Sequence, residues 1–156
     1  MRINLSQIMI TLDQYPIISE DVSLDKAINI LTKEFEKRDN SWHNYEALIT
    51  TGSSGEITGM LTLRSALIAI RELRYPSLSL RFRKLLFNKP VPRSKLQVKS
   101  FIHPLKNRSV NISDELDEVI SLVLRHNINS VLVSDNGRIV GVIRTIDLFW
   151  YIEDML

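Results

Sequence analysis

The sequence contains no cysteine, which excludes disulfide bonds, thiolate zinc sites and catalytic thiols and is compatible with a reducing compartment. Glycine and proline are scarce, at five residues each, which excludes collagen-like and low-complexity chains. No apolar run approaches the roughly 20 residues of a membrane-spanning helix, and the first residues lack the apolar segment of a signal peptide. The remaining composition is that of an ordinary globular protein, and we expect a cytoplasmic protein of 156 residues with no membrane partner.

Charge is unevenly distributed, although the net charge is only +2. Residues 71–99 carry nine lysines and arginines against one acidic residue, whereas the rest of the chain is net acidic. Such asymmetry can mark a surface that faces anions. The stretch also lacks a clear core periodicity, so we predict a basic linker at 74–95. Its segment 78–87 would be amphipathic as a helix, which favours packing over sheet edges rather than contact with nucleic acid.

One arrangement of predicted elements occurs twice along the chain, and such self-similarity decides a fold class. A helix with an apolar stripe begins near Leu24 in the first copy and near Leu116 in the second. Ser23 is the predicted N-cap of the first helix, and Asp114 is that of the second. The second stripe comprises Leu116, Val119, Ile120, Val123 and Leu124.

A hairpin and a closing helix follow each of these helices, and an extended segment precedes each of them. The hairpins are predicted at 47–61 and 131–143, the closing helices at 63–73 and 145–155, and the extended segments at 15–19 and 108–112. The unit is β-α-β-β-α, and neither copy can bury both faces of its sheet alone. The sequence therefore predicts an α+β fold of two repeats packed as a pseudo-two-fold pair. The repeats are predicted at 1–73, with an insertion at 37–46, and at 96–156.

This repeat resembles the cystathionine-β-synthase-type domain, or CBS domain, and two copies in tandem resemble a Bateman module. The resemblance rests on the order of the elements and on Gly59 and Gly141, each of which leads a last strand toward a closing helix. Segments at 6–11 and 98–104 resemble the family's opening segment. The resemblance covers residues 4–73 and 95–155.

The resemblance implies a site for an adenine nucleotide, such as AMP, ADP or ATP, in the cleft between the repeats. The family motif is Gly, two apolar residues, Thr or Ser, any two residues, then Asp. The hydroxyl and helix amides meet phosphate, the Asp accepts hydrogen bonds from the ribose, and backbone of the extended segment and middle strand encloses the adenine. The residues implied here are Asp147, Arg144, Val110, Ser109 and Val131 in the second repeat and Thr62, Ser65 and Ile18 in the first.

Neither copy matches the motif in full. The first keeps Thr62 but has Ser65 in place of the ribose-binding Asp, whereas the second keeps Asp147 but has Arg144 in the hydroxyl position. A guanidinium fork suits phosphate geometry, so the second copy is the preferred site. Local roles account for the same residues without a ligand. Thr62 can cap a helix, and Asp147 can favour a helix N-terminus while pairing with Arg144.

Three other features bear on the function. The loop at 51–55 has the composition of a phosphate-binding loop, but it lacks the ending of a P-loop, and a hairpin turn is favoured. The insertion carries three aromatic rings, which either anchor a partner or cover the end of the first helix. The run 148–152 is apolar all round, so we expect that helix to be buried on more than one side and to contribute to a homodimer through the closing helices.

The function that the sequence favours is a non-catalytic regulatory module of the energy-sensing kind, which binds an adenine nucleotide and signals by rearrangement of its lobes or its dimer. No nucleophile–base pair, paired catalytic carboxylates or metal-binding cluster is visible in the sequence. The alternative is a ligand-free dimerisation or protein-interaction module with degenerate motifs, and association with nucleic acid is a weaker third. No effector domain is evident, so we expect an effector protein in trans or a longer parent chain.

Overall fold

The computed structural model describes residues 3–36, 47–74, 96–106, 108–154 and 156. The helices in these ranges are α1 (Leu24–Glu36), α2 (Leu63–Arg74), α3 (Leu116–His126) and α4 (Thr145–Glu153). The strands are β1 (Ile10–Thr11), β2 (Ile17–Ser19), β3 (Ala47–Thr51), β4 (Ile57–Thr62), β5 (His103–Pro104), β6 (Ser109–Asn111), β7 (Ser130–Asp135) and β8 (Arg138–Arg144). The predicted insertion at 37–46 and all of the predicted basic linker 74–95 except Arg74 lie outside the described residues.

The strands form two four-stranded sheets of equivalent topology, in the orders β1-β8-β7-β6 and β2-β3-β4-β5. Each sheet contains an antiparallel hairpin flanked by one parallel strand, because a helix crosses over between the parallel strand and the hairpin. Residues that lie side by side on three neighbouring strands correspond between the two sheets. They are Val110, Val133 and Gly141 in one sheet and Ile18, Thr50 and Gly59 in the other. This matching register confirms the α+β fold and the internal repeat.

The chain divides into two compact units that are not the two sequence repeats. One, the C-terminal unit, consists of Met1–Tyr15 and Pro104–Leu156, and the other, the central unit, is Pro16–His103. The first strand of the chain, β1, pairs with β8, whereas β5 completes the sheet of the central unit. The opening segments are thus exchanged between the repeats. The repeat limits of 1–73 and 96–156 stay a prediction, because the segment that joins the repeats lies outside the described residues.

Gly141 permits β1 to approach β8 closely. In the register of this pair, Ile10 lies opposite Val142 and Thr11 opposite Gly141. A Cβ atom at position 141 would lie 2.7 Å from the carbonyl oxygen of Ile10 and 2.8 Å from the Sδ atom of Met9. Glycine at this point of the strand therefore serves backbone packing, and β1 covers an edge of the sheet that would otherwise be open.

Each unit has its own hydrophobic core, to which an exchanged opening segment contributes. The core of the C-terminal unit comprises Leu5, Ile8, Val110, Val119, Val123, Ile128, Val131, Val133, Ile143 and Leu148. The core of the central unit comprises Ile18, Ala27, Leu31, Leu48, Leu61, Ala66 and Val98. Leu5 and Val98 are both fully buried, so each opening segment is part of the core that it covers.

One predicted N-cap is confirmed, whereas the second predicted N-cap and one residue of the apolar stripe differ from the prediction. Ser23 is confirmed near the start of α1, since its Oγ accepts from the backbone N–H of Lys26 at 3.4 Å. Asp114 is not the cap of α3, because its carboxylate accepts from the backbone N–H of Asn111 at 2.7 Å and Glu115 precedes the helix instead. Leu124 is 75% exposed and does not belong to the buried stripe, because it lies about 80° around the helix from Leu116.

The closing helix α4 is buried on one side only, which corrects the expectation of burial on several sides. Leu148 is its buried residue, whereas Phe149 is 62% exposed and packs edge-on against the partly exposed Trp150. The helix also ends at Glu153, two residues before the predicted limit. None of the helices in the described ranges is long and apolar enough to cross a membrane.

Candidate ligand-binding site

The junction between β8 and α4 places two ionisable side chains of the segment 141–147 side by side. Buried residues of β8 run up to Arg144, where the backbone is still extended, with φ −96° and ψ 153°. The helix begins at the next residue, so Asp147 falls in its first turn. The Asp147 Oδ2 atom accepts from the backbone N–H of Arg144 at 3.1 Å and so caps the helix start.

The side chains of Arg144 and Asp147 also form a two-point ion pair. The Arg144 Nε atom donates to Asp147 Oδ2 at 2.8 Å, and the Nη2 atom donates to Asp147 Oδ1. The two side chains are only 8% and 16% exposed. This fork geometry is the strong form of an arginine–carboxylate pair, and burial makes each charge depend on the other. The local ion pair proposed from the i, i+3 spacing is confirmed, and both carboxylate oxygens are engaged by it.

The remaining implied residues of the second repeat lie toward the same end of the sheet. Arg144 stands opposite Ser130, at the start of β7, and Val131 and Ser109 lie near the starts of their strands. The side chains of Val110 and Val131 point into the core, whereas Ser109 is exposed. The side chains of the two valines are therefore not presented to a ligand at this end of the sheet.

Arg108 is a further cation at this end of the sheet, and the sequence analysis did not single it out. It immediately precedes β6, and its carbonyl oxygen accepts from the backbone N–H of Leu132 at 2.8 Å. Partial burial lowers the pKa of the Arg108 guanidinium, because desolvation disfavours the charged form. The family motif gives no signal for this position, and only a basic residue at the start of the predicted extended segment 108–112 could have indicated it.

The first repeat places Thr62 and Ser65 together, but without a charge. The Thr62 Oγ1 atom accepts from the backbone N–H of Ser65 at 3.1 Å, and the two hydroxyl oxygens are 2.9 Å apart. Thr62 therefore caps α2, as the local interpretation predicts, and Ser65 is buried beside it. Ile18 lies on β2 of the same sheet and contributes to the core. Neither Thr62 nor Ser65 supplies a carboxylate for a ribose or a cation for a phosphate.

The loop between β3 and β4 is a hairpin connection, as favoured from its composition. The backbone N–H of Gly52 donates to Glu56 O at 2.9 Å, and that of Gly55 donates to Gly52 O at 3.1 Å. Gly55 has a φ of +78°, a conformation that glycine adopts without strain. Because these amides are bonded within the turn, they are not directed at a phosphate. No group of three or more histidine, aspartate or glutamate side chains in the described ranges could hold a metal ion.

Comparison with protein families and curated proteins gives one match. The family model described as the CBS domain matches residues 98–154, which include the Arg144–Asp147 junction. A search of curated proteins finds no significant match.

Solved structures extend this similarity to the whole chain. CBSX2, solved in complex with AMP, is 14% identical, with a TM-score of 0.71 and 97% of both chains covered. A hypothetical conserved protein from Geobacillus kaustophilus is 18% identical, with a TM-score of 0.68 and both chains covered in full. A conserved CBS domain protein of unknown function from Thermoplasma acidophilum is 18% identical, with a TM-score of 0.69, over 97% of this chain and 70% of that one. At these identities the similarity establishes the fold.

Proposed function

We propose that this chain, which has the fold of a tandem CBS-domain pair and a CBS domain at residues 98–154, is a non-catalytic regulatory module that binds an adenine nucleotide in its second repeat. The observation that carries the proposal is the Arg144–Asp147 pair at the junction of β8 and α4. It combines a cation suited to phosphate and a carboxylate suited to a ribose, three positions apart in the sequence. The similarity to CBSX2, solved with AMP, supports the same ligand class.

Each part of the nucleotide has a matching group in the proposed site. The Arg144 guanidinium offers a planar fork to a phosphate, and Arg108 adds a second positive charge at this end of the sheet. The Asp147 carboxylate accepts hydrogen bonds from the ribose hydroxyls. The main chain at Ser109, Val110 and Val131 lies against the adenine. The ligand is therefore AMP, ADP or ATP rather than an uncharged base.

The second repeat is preferred over the first because of what each junction offers. Thr62 and Ser65 form a neutral pair whose hydrogen bonds are made within the helix cap. A ligand would replace bonds that the chain already makes at either junction, but only in the second repeat do the two residues at these motif positions carry charges. Binding at the second repeat transmits a signal if the ligand has a higher affinity for one arrangement of the repeats, or of a dimer, than for another.

The experiment that tests the proposal is calorimetric titration with AMP, ATP and S-adenosylmethionine. We expect saturable binding of an adenine nucleotide that Asp147→Asn weakens by about tenfold or more, the equivalent of about 1.4 kcal/mol. The amide oxygen introduced by this substitution would still accept the backbone N–H of Arg144, so the helix cap is retained. The matched control is Ser65→Ala in the first repeat, which we expect to leave affinity unchanged. Absence of heat with all three ligands would contradict the proposal.

A second candidate function, dimerisation or protein interaction without a ligand, rests on the outer faces of the closing helices. Helix α2 exposes Leu63, Leu67 and Ile68, and helix α4 exposes Ile146, Phe149 and Trp150. Clustered apolar side chains on a helix surface are typical of an interface.

Sedimentation equilibrium tests this second candidate. We expect a homodimer that Phe149→Glu dissociates, because the substitution places a charge in the contact. Leu124→Glu is the matched control, since Leu124 is also well exposed but lies on α3, outside the closing helices. A monomer at all concentrations, or equal effects of both substitutions, would contradict an interface at α4.

A further inference from the structure

Resting on the proposed function, we propose that the Arg144–Asp147 ion pair makes the second-repeat site selective for phosphate-bearing ligands and closes it to the bare nucleoside. The guanidinium engages both oxygens of the carboxylate that would receive the ribose. Both side chains are largely buried, so neither charge has bulk water as an alternative partner. The ribose subsite is therefore occupied by a side chain of the protein itself.

A nucleoside cannot open this pair at low cost. Its ribose hydroxyls are neutral, so a ribose that displaces the guanidinium from Asp147 breaks a largely buried ion pair and supplies no anion in exchange. A phosphate group changes this balance, because it presents two oxygens to the guanidinium in the geometry of a carboxylate. The guanidinium then exchanges one anion for another, and Asp147 becomes free for the ribose.

The geometry also indicates which side chain moves. Asp147 is held at the helix start, since its Oδ2 atom accepts from the backbone N–H of Arg144 as well as from the guanidinium. Its short side chain keeps this bond, whereas the long side chain of Arg144 can rotate away. Phosphate thus binds to a displaced Arg144, and the fixed Asp147 receives the ribose.

At the equivalent positions of the first repeat, Thr62 and Ser65 form no ion pair. Its Thr62–Ser65 pair is neutral, so breaking it leaves no buried charge. Selectivity for phosphate is therefore a property of position 144 rather than of the fold that both repeats share.

The substitution Arg144→Thr tests the inference, because it completes the family motif in the segment 141–147. Calorimetry on both proteins would use AMP and adenosine. We expect wild type to bind AMP at least about tenfold more tightly than adenosine. In the variant we expect adenosine to bind about tenfold more tightly than it binds wild type, and the preference for AMP to fall below about threefold.

The outcomes separate this inference from the function on which it rests. If wild type binds AMP and adenosine equally, or if the variant keeps the wild-type preference, the selective ion pair is wrong while nucleotide binding stands. If neither protein binds either ligand, nucleotide binding itself is wrong, and the inference fails with it.

A second variant tests the inference with a ligand that contains no adenine, and it does not require the Arg144→Thr protein to fold. Asp147→Asn removes the charge that holds Arg144, so we expect inorganic phosphate, followed by ³¹P NMR, to bind about fivefold or more tightly than to wild type. Asp21→Asn is the control, since it releases Lys99 from an exposed ion pair and is expected to leave phosphate binding unchanged. Unchanged or weaker phosphate binding by a folded Asp147→Asn protein would overturn the inference.

Discussion

At the scale of single residues, the free energy of the Arg144–Asp147 pair depends on burial more than on distance. The exposed pair of Lys99 and Asp21 has an N–O distance of 3.2 Å, and its side chains are 50% and 53% exposed. Water stabilises those two charges whether or not they pair. Arg144 and Asp147 are largely buried, so the loss of either one removes a charged partner that water does not readily replace for the other.

We predict that Asp147→Ala lowers the free energy of unfolding by about 3 kcal/mol, because it breaks a largely buried ion pair and removes a helix cap. The matched substitution Asp21→Ala should lower it by less than about 1 kcal/mol. Urea unfolding of the three proteins checks this. Similar losses for the two substitutions would contradict the assignment of Arg144 as a buried, paired cation.

The i, i+3 spacing of Arg144 and Asp147 is visible in the sequence, and it predicts their ion pair. Their burial is not visible there, because it depends on how β8 and α4 pack into the C-terminal unit. Arg108 was missed for the same reason, since its position at this end of the sheet follows from the pairing of β6 with β7. Whether these residues bind a ligand stays a prediction.

At the scale of the elements, local signals specify the hairpins well. The turn between β7 and β8 contains Asn136 and Gly137, with φ values of 48° and 78°. Asn-Gly is the sequence that such a two-residue turn favours, so the hairpin could be predicted. The start of α3 could not be placed to the residue, because Asp114 has an alternative bond to the backbone of Asn111.

The pairing of β1 with β8 leads to a prediction for Gly141→Ala. The added Cβ atom would overlap the carbonyl oxygen of Ile10, so β1 must shift or detach. We expect a loss of about 1–3 kcal/mol in the free energy of unfolding, and faster hydrogen exchange at the β1–β8 pair than elsewhere in that sheet. Unchanged exchange at Ile10 and Val142 would show that this contact does not require glycine.

At the scale of the whole molecule, the exchange of opening segments makes each compact unit depend on residues that are distant in the sequence. Leu5 lies in the core with β7 and β8, whereas Val98 lies in the core with β3 and β4. The repeat and its α+β class could be predicted, since helix stripes and hairpins recur in order. The exchange could not, because the two opening segments resemble each other and their local patterns fit either sheet.

This exchange predicts a crossed pattern of destabilisation. Leu5→Ala should accelerate hydrogen exchange in β7 and β8, and Val98→Ala should accelerate it in β3 and β4, because each substitution leaves a cavity in the core it enters. We expect losses of about 2–4 kcal/mol for Leu5→Ala and somewhat less for the smaller Val98. If each substitution instead loosens the sheet of its own sequence repeat, the exchanged arrangement is wrong.

The most direct test of the central claim is a two-dimensional NMR titration of the whole protein with AMP. We predict saturable shifts of the Arg144 side-chain Nε–H signal and of the backbone amides of Ser109 and Asp147, with little change at Ile18 and Ser65. That result would place the nucleotide at the β8–α4 junction. Saturable shifts confined to Ile18 and Ser65, or a spectrum that millimolar AMP leaves unchanged, would contradict the account.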